Sequence, residues 1–131
     1  MTSVFEPEEL DYLAEPDGRL ARVATLGRDG MPHVVPTGWR YNAELDTVDL
    51  GGIRLARTRK FRDVLRTGRA AVVIDEVLAP WRPRGIEIRG AAHALAGEEL
   101  IRIRPRRIVS WGLVSDSIDD RHARTVSASA G

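Results

Sequence analysis

The sequence contains no cysteine, a single lysine, and no hydrophobic run long enough to cross a membrane. Without cysteine, disulfides, thiolate metal sites and a cysteine nucleophile are all excluded. The first residues also lack the basic and apolar segments of a secretion signal, so we expect a cytoplasmic protein with no membrane partner. The 131 residues that are present, 43% hydrophobic and 30% charged, predict one globular domain.

Positive charge is concentrated in one segment of an otherwise balanced chain. The formal net charge is only +1, which gives no overall field to attract nucleic acid. Between Arg54 and Arg69, however, seven basic side chains accompany a single acid, Asp63. Phe61 is the only aromatic residue of this segment and offers little surface for stacking bases. We therefore predict no nucleic-acid partner. A phosphate site and the solvated face of a helix both stay open as explanations of the charge.

Hydrophobic periodicity and turn residues predict two helices separated by a meander of strands. The first helix is expected near residues 7–14, where Pro7 suits an opening turn. The second is expected over 55–67 and ends at Gly68. Its inward-facing residues are predicted to be Leu55, Phe61, Val64 and Leu65. Strands are expected at 19–26, 32–41, 46–50, 69–76, around 86–91 and at 100–104.

The remaining segments are predicted to lack regular structure. Pro80 to Pro83 reads as a rigid loop, and Arg106 to Gly112 as a short irregular stretch. Residues 114–131 have almost no apolar content, so they are predicted to form a disordered tail behind a domain spanning 1–113. Short, mostly antiparallel strands with one inserted helix predict a mainly β protein with a few helices, built as a small barrel.

The strongest candidate site is the start of the second helix. Arg57, Thr58, Arg59 and Lys60 stand there, shortly after a strand that ends in Gly51 and Gly52. A helix start offers unpaired N–H groups, and arginines add charge-assisted hydrogen bonds to phosphate oxygens. The alternative interpretation is that these charges are the solvated face of an amphipathic helix.

A second candidate lies on the strand that contains Pro36, Thr37 and Gly38. Proline lacks the N–H that a strand donates to its neighbour, and glycine leaves the backbone exposed. This stretch could therefore accept a flat ring close to the backbone, or it could be an ordinary bulge. Trp81, between two prolines, is expected to pack against a partner subunit or a ligand. The histidines, His33, His93 and His122, have no metal-site spacing, and no metal site or catalytic acid or base is predicted.

Four segments together resemble a known family. They are 30–36 (GMPHVVP), 56–62 (ARTRKFR), 81–90 (WRPRGIEIRG) and 105–112 (PRRIVSWG). In this order they resemble the pyridoxamine 5′-phosphate oxidase-like split-barrel proteins. More narrowly they are similar to the branch of flavin/deazaflavin oxidoreductases that depend on the deazaflavin coenzyme F-420. The likeness covers about residues 3–113.

The resemblance implies an FMN-binding type of split β-barrel, a homodimer with cofactor sites at the subunit interface. The cofactor phosphate would lie against Arg57, Thr58, Arg59 and Lys60. The ring system would lie over Val35, Pro36, Thr37, Gly38, Gly51 and Gly52, with Trp81 of the partner subunit nearby. The pyridoxal-phosphate-binding pattern near the oxidase's C-terminus is not recognisable, so oxidation of vitamin B6 is not expected.

The expected function is that of an oxidoreductase that uses reduced F-420 for hydride transfer to a small organic acceptor. Two alternatives stay open at this point. FMN could replace F-420, because both present a phosphate and a three-ring system. The protein could also be a flavin or deazaflavin carrier without turnover.

Overall fold

A computed structural model describes residues 2–15 and 18–127. Helix α1 spans Pro7–Leu13 and helix α2 spans Arg59–Thr67. The strands are β1 Ala21–Leu26, β2 Pro32–Asn42, β3 Thr47–Gly51, β4 Arg69–Leu78, β5 Arg82–Leu95, β6 Leu100–Trp111 and β7 Arg121–Thr125. Short 3-10 turns occur at Leu55–Arg57 and Ala96–Glu98. None of the described helices is long and apolar enough to cross a membrane.

Six of the strands close into an antiparallel barrel. The strand order is β3-β2-β1-β4-β5-β6, and β3 pairs with β6 to complete the circle. Strand β7 adds to the free side of β6. Closure leaves the barrel strands without long open edges, which stabilises a small sheet. The predicted mainly β barrel with a few helices is confirmed.

The core lies inside the barrel, where branched side chains from alternate strand positions meet. Each inward residue faces another across the ladder, as Ile74 does Ile86 and Val48 does Ile103. All four side chains are fully buried. Burying a side chain of this size stabilises a fold by roughly 1.5–3 kcal/mol.

The strand predicted to stop before Pro105 continues to Trp111. A register shift between Arg89 and Gly90 lets Pro105 sit opposite Gly90 within the ladder. A Cβ on Gly90 would lie 1.9 Å from the Arg104 carbonyl oxygen, so glycine is required for the strands to approach here. The prediction of an irregular segment at Arg106–Gly112 is therefore wrong, because a bulge accommodates the proline.

The predicted disordered tail contains a strand. Arg121–Thr125 pairs in register with Arg107–Trp111 of β6, so the prediction fails for this part of residues 114–131. The side chain of Arg124 reaches Glu9 of α1, which is fully buried, with N–O distances of 2.6 and 3.0 Å. Contacts between residues far apart in the sequence therefore stabilise this strand, although the segment has almost no apolar side chains of its own. Residues 128–131 of the predicted tail lie outside the described residues.

The second helix is shorter than predicted and is preceded by a separate turn. Thr58 is extended and ends the 3-10 turn, so the α-helix itself begins at Arg59. Leu55, Phe61 and Val64 are buried as predicted, but Leu65 is 65% exposed. The buried face of the helix is therefore narrower than predicted. Gly68, with φ of 69°, ends the helix as predicted.

Candidate functional site

The ends of β2 and β3 form a bare patch of sheet on the outside of the barrel. Gly38 and Gly51 face each other directly across the two strands. A Cβ built on either residue meets no described atom within 4 Å. A Cβ on Gly52 would meet only Leu55, at 3.9 Å. The patch therefore exposes backbone to which a flat molecule could lie close.

The four predicted ring-contact residues of β2 are divided between the two faces of the sheet. Pro36 and Gly38 point outward, whereas Val35 and Thr37 lie opposite the buried Val23 and Ala21 of β1. The buried hydroxyl of Thr37 donates a hydrogen bond to the Gly51 carbonyl at 3.0 Å. Thr37 thus fixes the two strands that form the patch instead of facing a ligand.

The chain leaves this patch and reaches the basic cluster after four residues, 53–56. Among the described residues, Arg57, Arg59 and Lys60 have no carboxylate partner. The Thr58 hydroxyl donates to the Leu55 carbonyl at 2.6 Å and accepts from the Phe61 N–H at 3.3 Å. Thr58 is therefore the N-cap of α2, and its hydroxyl proton is already engaged. The three cations remain available to an anion.

A buried carboxylate holds α2 against the sheet. Asp63 is 3% exposed and accepts hydrogen bonds from Thr25 at 2.8 Å and from Arg66 at 3.3 Å, and it lies 3.0 Å from His33 Nδ1. Burial alone would raise the pKa of Asp63, but the hydrogen bonds from these groups outweigh it and the pKa lies below its ordinary value. This network fixes α2, and with it the cations of its first turn, against β1 and β2.

The cations at the start of α2 do not all line the same depression. Arg59 lines a polar pocket with Arg28, Asp29, His33, Asp63 and Arg66, whereas Arg57 and Lys60 lie outside that lining. His33, for which the sequence predicts no metal-binding or catalytic role, is one wall of this pocket and a partner of Asp63. No local pattern marks this pairing, because the two residues are thirty positions apart.

Three large apolar side chains are exposed along β2 and just beyond β3. Ile53, which follows Gly52, is 92% exposed, Val34 on β2 67%, and Met31 immediately before β2 60%. The sequence analysis did not predict that they face solvent. Large exposed apolar residues can belong to an interaction site.

Trp81 lies at the turn between β4 and β5 and is 75% exposed. It lines a cleft with Trp111, which packs on Gly85 of the neighbouring strand so closely that a Cβ there would lie 2.7 Å from the indole ring. Gly38 and Gly51 are not part of this lining. Within one chain, the structure therefore separates Trp81 from the residues predicted to share a site with it.

The sequence matches the family described as Pyridoxamine 5′-phosphate oxidase over residues 6–129. The chain belongs to this family. A reductase of 5a,11a-dehydrotetracycline and 5a,11a-dehydrooxytetracycline from Streptomyces rimosus is 39% identical over 140 residues, covering 97% of this chain and 96% of the relative. The family resemblance and the prediction of an oxidoreductase are confirmed.

Solved structures share the split-barrel fold. An F420 reductase superimposes with a TM-score of 0.61 at 17% identity, covering 80% of this chain and 98% of that one. A heme binding protein from Mycobacterium smegmatis gives 0.65 at 14% identity, covering 93% of this chain. This chain spans 59% of the length of that heme binding protein. At these identities the likeness concerns the fold.

Proposed function

We propose that this oxidoreductase uses reduced coenzyme F-420 to reduce a small organic acceptor. The cofactor phosphate would be held by Arg57, Arg59 and Lys60, and its ring system would lie over Gly38 and Gly51. The F-420-dependent branch is favoured by the sequence motifs, and the fold is shared with an F420 reductase. The relative from Streptomyces rimosus is a reductase of fused-ring compounds, which supports an organic acceptor.

The observation that supports the proposal most strongly is that an exposed patch of backbone is followed closely in the sequence by cations without a carboxylate partner. A flat ring needs backbone without side chains above it, and the Gly38–Gly51 pair provides this. A phosphate needs cations that are not already paired, and Arg57, Arg59 and Lys60 meet that condition among the described residues. Hydrogen bonds to charged groups contribute roughly 1.5–3 kcal/mol each.

The chain's own residues bind and orient, and no protein acid or base is assigned. Bound in this way, reduced F-420 would supply a hydride, and one solvent proton would complete the two-electron reduction of the acceptor. Thr37 keeps β2 and β3 in register beneath the ring, and Asp63 holds the start of α2 in place. Both residues therefore act on position and not on the chemistry.

A second copy of the chain would complete the site. The exposed Ile53 directly follows Gly52, and the exposed Val34 lies on the same outer face of β2 as Gly38, so a partner subunit that covers this face would exclude water from the ring. The same arrangement would bring Trp81 of the partner subunit towards a cofactor that Trp81 cannot reach within its own chain. The homodimer is part of the proposal.

Removal of the cations tests the phosphate site. We expect Arg57→Ala with Lys60→Ala to weaken F-420 binding more than tenfold in a fluorescence titration, because two charge-assisted contacts are lost. The matched control is Arg104→Ala with Arg107→Ala, which removes the same charge from β6. Equal affinity of the wild type and the first variant would refute the site.

Parallel titrations separate the cofactors and the carrier alternative. The wild type is titrated with F-420 and with FMN, and tighter binding of FMN would contradict the assignment of F-420. Reduced F-420 is then mixed with the protein and a panel of fused-ring and conjugated acceptors. Tight binding without oxidation of F-420 by any acceptor would identify a carrier.

A further inference from the structure

A cleft at one end of the barrel is lined by two tryptophans and is separate from the patch of Gly38 and Gly51. It lies between the β4–β5 turn and the connection from β6 to β7. Its apolar lining consists of Leu78, Trp81, Pro83, Trp111 and Ile118. Trp81 is 75% exposed and Ile118 96% exposed, so two large apolar side chains meet water at the mouth of a concave surface.

The loop that forms one wall is ordered around a buried carboxylate. Asp120 is 9% exposed and accepts hydrogen bonds from the Val114 and Ser115 N–H groups, both at 3.0 Å. Its other oxygen lies 2.8 Å from His122 Nε2 on β7. The pKa of Asp120 lies below its ordinary value because of the hydrogen bond from Ser115 and those of its other partners. The wall is therefore formed before any ligand arrives.

The opposite wall is equally fixed. Trp111 rests on Gly85, and Gly112, with φ of 69°, lies so near β5 that a Cβ there would be 2.3 Å from the Pro83 carbonyl oxygen. These contacts prevent the cleft from closing by collapse of its own side chains. Preformed, mostly apolar concavities are the usual form of small-molecule sites.

The charged residues of the lining already have partners. Arg82 pairs with Asp116, and Arg84 pairs with Glu15 at 2.7 Å and with Glu76. The cleft therefore presents neutralised ion pairs beside two indole rings. Such a surface favours an uncharged, flat ring system that stacks on the indoles, and it gives no strong attraction to a phosphate.

We propose that this cleft binds the fused planar rings of an uncharged organic molecule. Its role as the binding site for the hydride acceptor rests on the proposed function and on the proposed homodimer, in which Trp81 of the partner subunit lies near the cofactor. Ring binding itself does not depend on them. A fused ring could belong to the acceptor or to the cofactor. The neutral lining favours the acceptor, because the cofactor carries a phosphate.

The test is equilibrium dialysis with 2-(hydroxymethyl)anthraquinone, a neutral compound of three fused flat rings. We expect the wild type to bind it, and Trp81→Ala with Ile118→Ser to weaken binding at least tenfold without lowering the melting temperature. The matched control is Val77→Ala with Leu20→Ser, which alters two exposed apolar residues outside the lining. Unchanged binding by the cleft variant, or an equal loss in the control, would overturn the proposal.

Ile118→Ser alone separates the two sources of the ring. We expect this variant to lose anthraquinone affinity and to keep wild-type affinity for F-420. Loss of F-420 affinity without loss of anthraquinone affinity would overturn the assignment to the acceptor. If the wild type binds the anthraquinone but not F-420, the proposed function fails while ring binding in the cleft stands.

Discussion

At the scale of single residues, the candidate site depends on glycines, because their lack of a side chain leaves the backbone exposed. Gly90 and Gly112 are required by close backbone contacts, but Gly38 and Gly51 have open space above them and no positive φ. A strand interior ordinarily favours β-branched residues over glycine. Stability of the chain alone therefore does not account for glycine at these two positions, whereas close approach of a ligand does.

This reasoning predicts opposite effects on stability and binding for Gly38→Val. We expect the melting temperature to stay the same or rise, because valine fits a strand and its Cβ would meet no neighbouring atom within 4 Å. We expect F-420 affinity to fall at least tenfold, because the new side chain would stand where the ring is proposed to lie. Thermal unfolding and fluorescence titration measure the two quantities. Unchanged affinity would contradict the proposed position of the ring.

At the scale of the elements, β7 is joined to β6 by a ladder and to α1 by a buried ion pair. Arg124 contacts both carboxylate oxygens of Glu9 and donates to the Val4 carbonyl at 2.8 Å. Ser110 of β6 also donates to Glu9, at 2.6 Å. A carboxylate of α1 thus joins the N-terminal helix, β6 and the last strand, which are more than a hundred positions apart in sequence.

Arg124→Ala would leave the Glu9 carboxylate buried without its cation. We expect the free energy of unfolding to fall by about 3 kcal/mol, as for other buried pairs that lose one partner. The control is Arg121→Ala on the same strand, which is exposed and should change stability by less than about 0.5 kcal/mol. Chemical denaturation measures both. Equal effects of the two variants would show that the ion pair does not hold β7.

The sequence predicted those elements that local patterns determine. The helix at Pro7, the strands β1 to β4 and the end of α2 at Gly68 follow from periodicity, proline and glycine. The continuation of β6 through Pro105 was missed because it depends on a bulge at Arg106, and the register with β5 determines where this bulge lies. Strand β7 was missed because Arg124 finds its partner at the other end of the chain.

The candidate site, like the fold, was predictable where it depends on local sequence patterns and not where it depends on contacts between distant residues. The cluster at Arg57 to Lys60 is visible in the sequence. Gly38 stands out as unusual within a predicted strand, whereas Gly51 was predicted only to end one. Their direct pairing across two strands requires the register of β2 and β3. The cleft around Trp81 and Ile118 requires the position of β7, which local composition does not reveal.

At the scale of the whole molecule, acid should weaken the fold over a defined pH range. Four carboxyl groups that are little exposed have a pKa below the ordinary value: Glu9, Asp49, Asp63 and Asp120. For Asp49, burial alone would raise the pKa, but hydrogen bonds from Arg102, Asn42 and Thr47 outweigh it. A carboxyl group of this kind adds stability above its unfolded pKa and loses it as pH falls through the folded pKa.

The expected outcome is a fall in melting temperature that begins as pH drops below about 4.5 and continues to pH 3 or lower. The ordinary values of 4.5 for glutamate and 3.8 for aspartate set the upper limit of this range. Asp49→Asn should melt at a lower temperature at pH 7 and show a shallower loss below pH 4. A melting temperature that is constant down to pH 3 would contradict the expectation that these four carboxylates stabilise the fold.

Assembly is the other property of the whole molecule, and it can be tested at one exposed position. Val34 is 67% exposed on the outer face of β2, so Val34→Glu should leave the folded chain intact. In a homodimer that covers this face, the new carboxylate would be buried without a partner, and dimer affinity should fall at least tenfold. Leu45→Glu, in the turn between β2 and β3, is the control and should not change assembly. Sedimentation velocity distinguishes the two variants.

A wild type that sediments as a monomer at all concentrations would remove the partner subunit from the proposed site. A dimer unaffected by Val34→Glu would place the interface on a different face of the barrel.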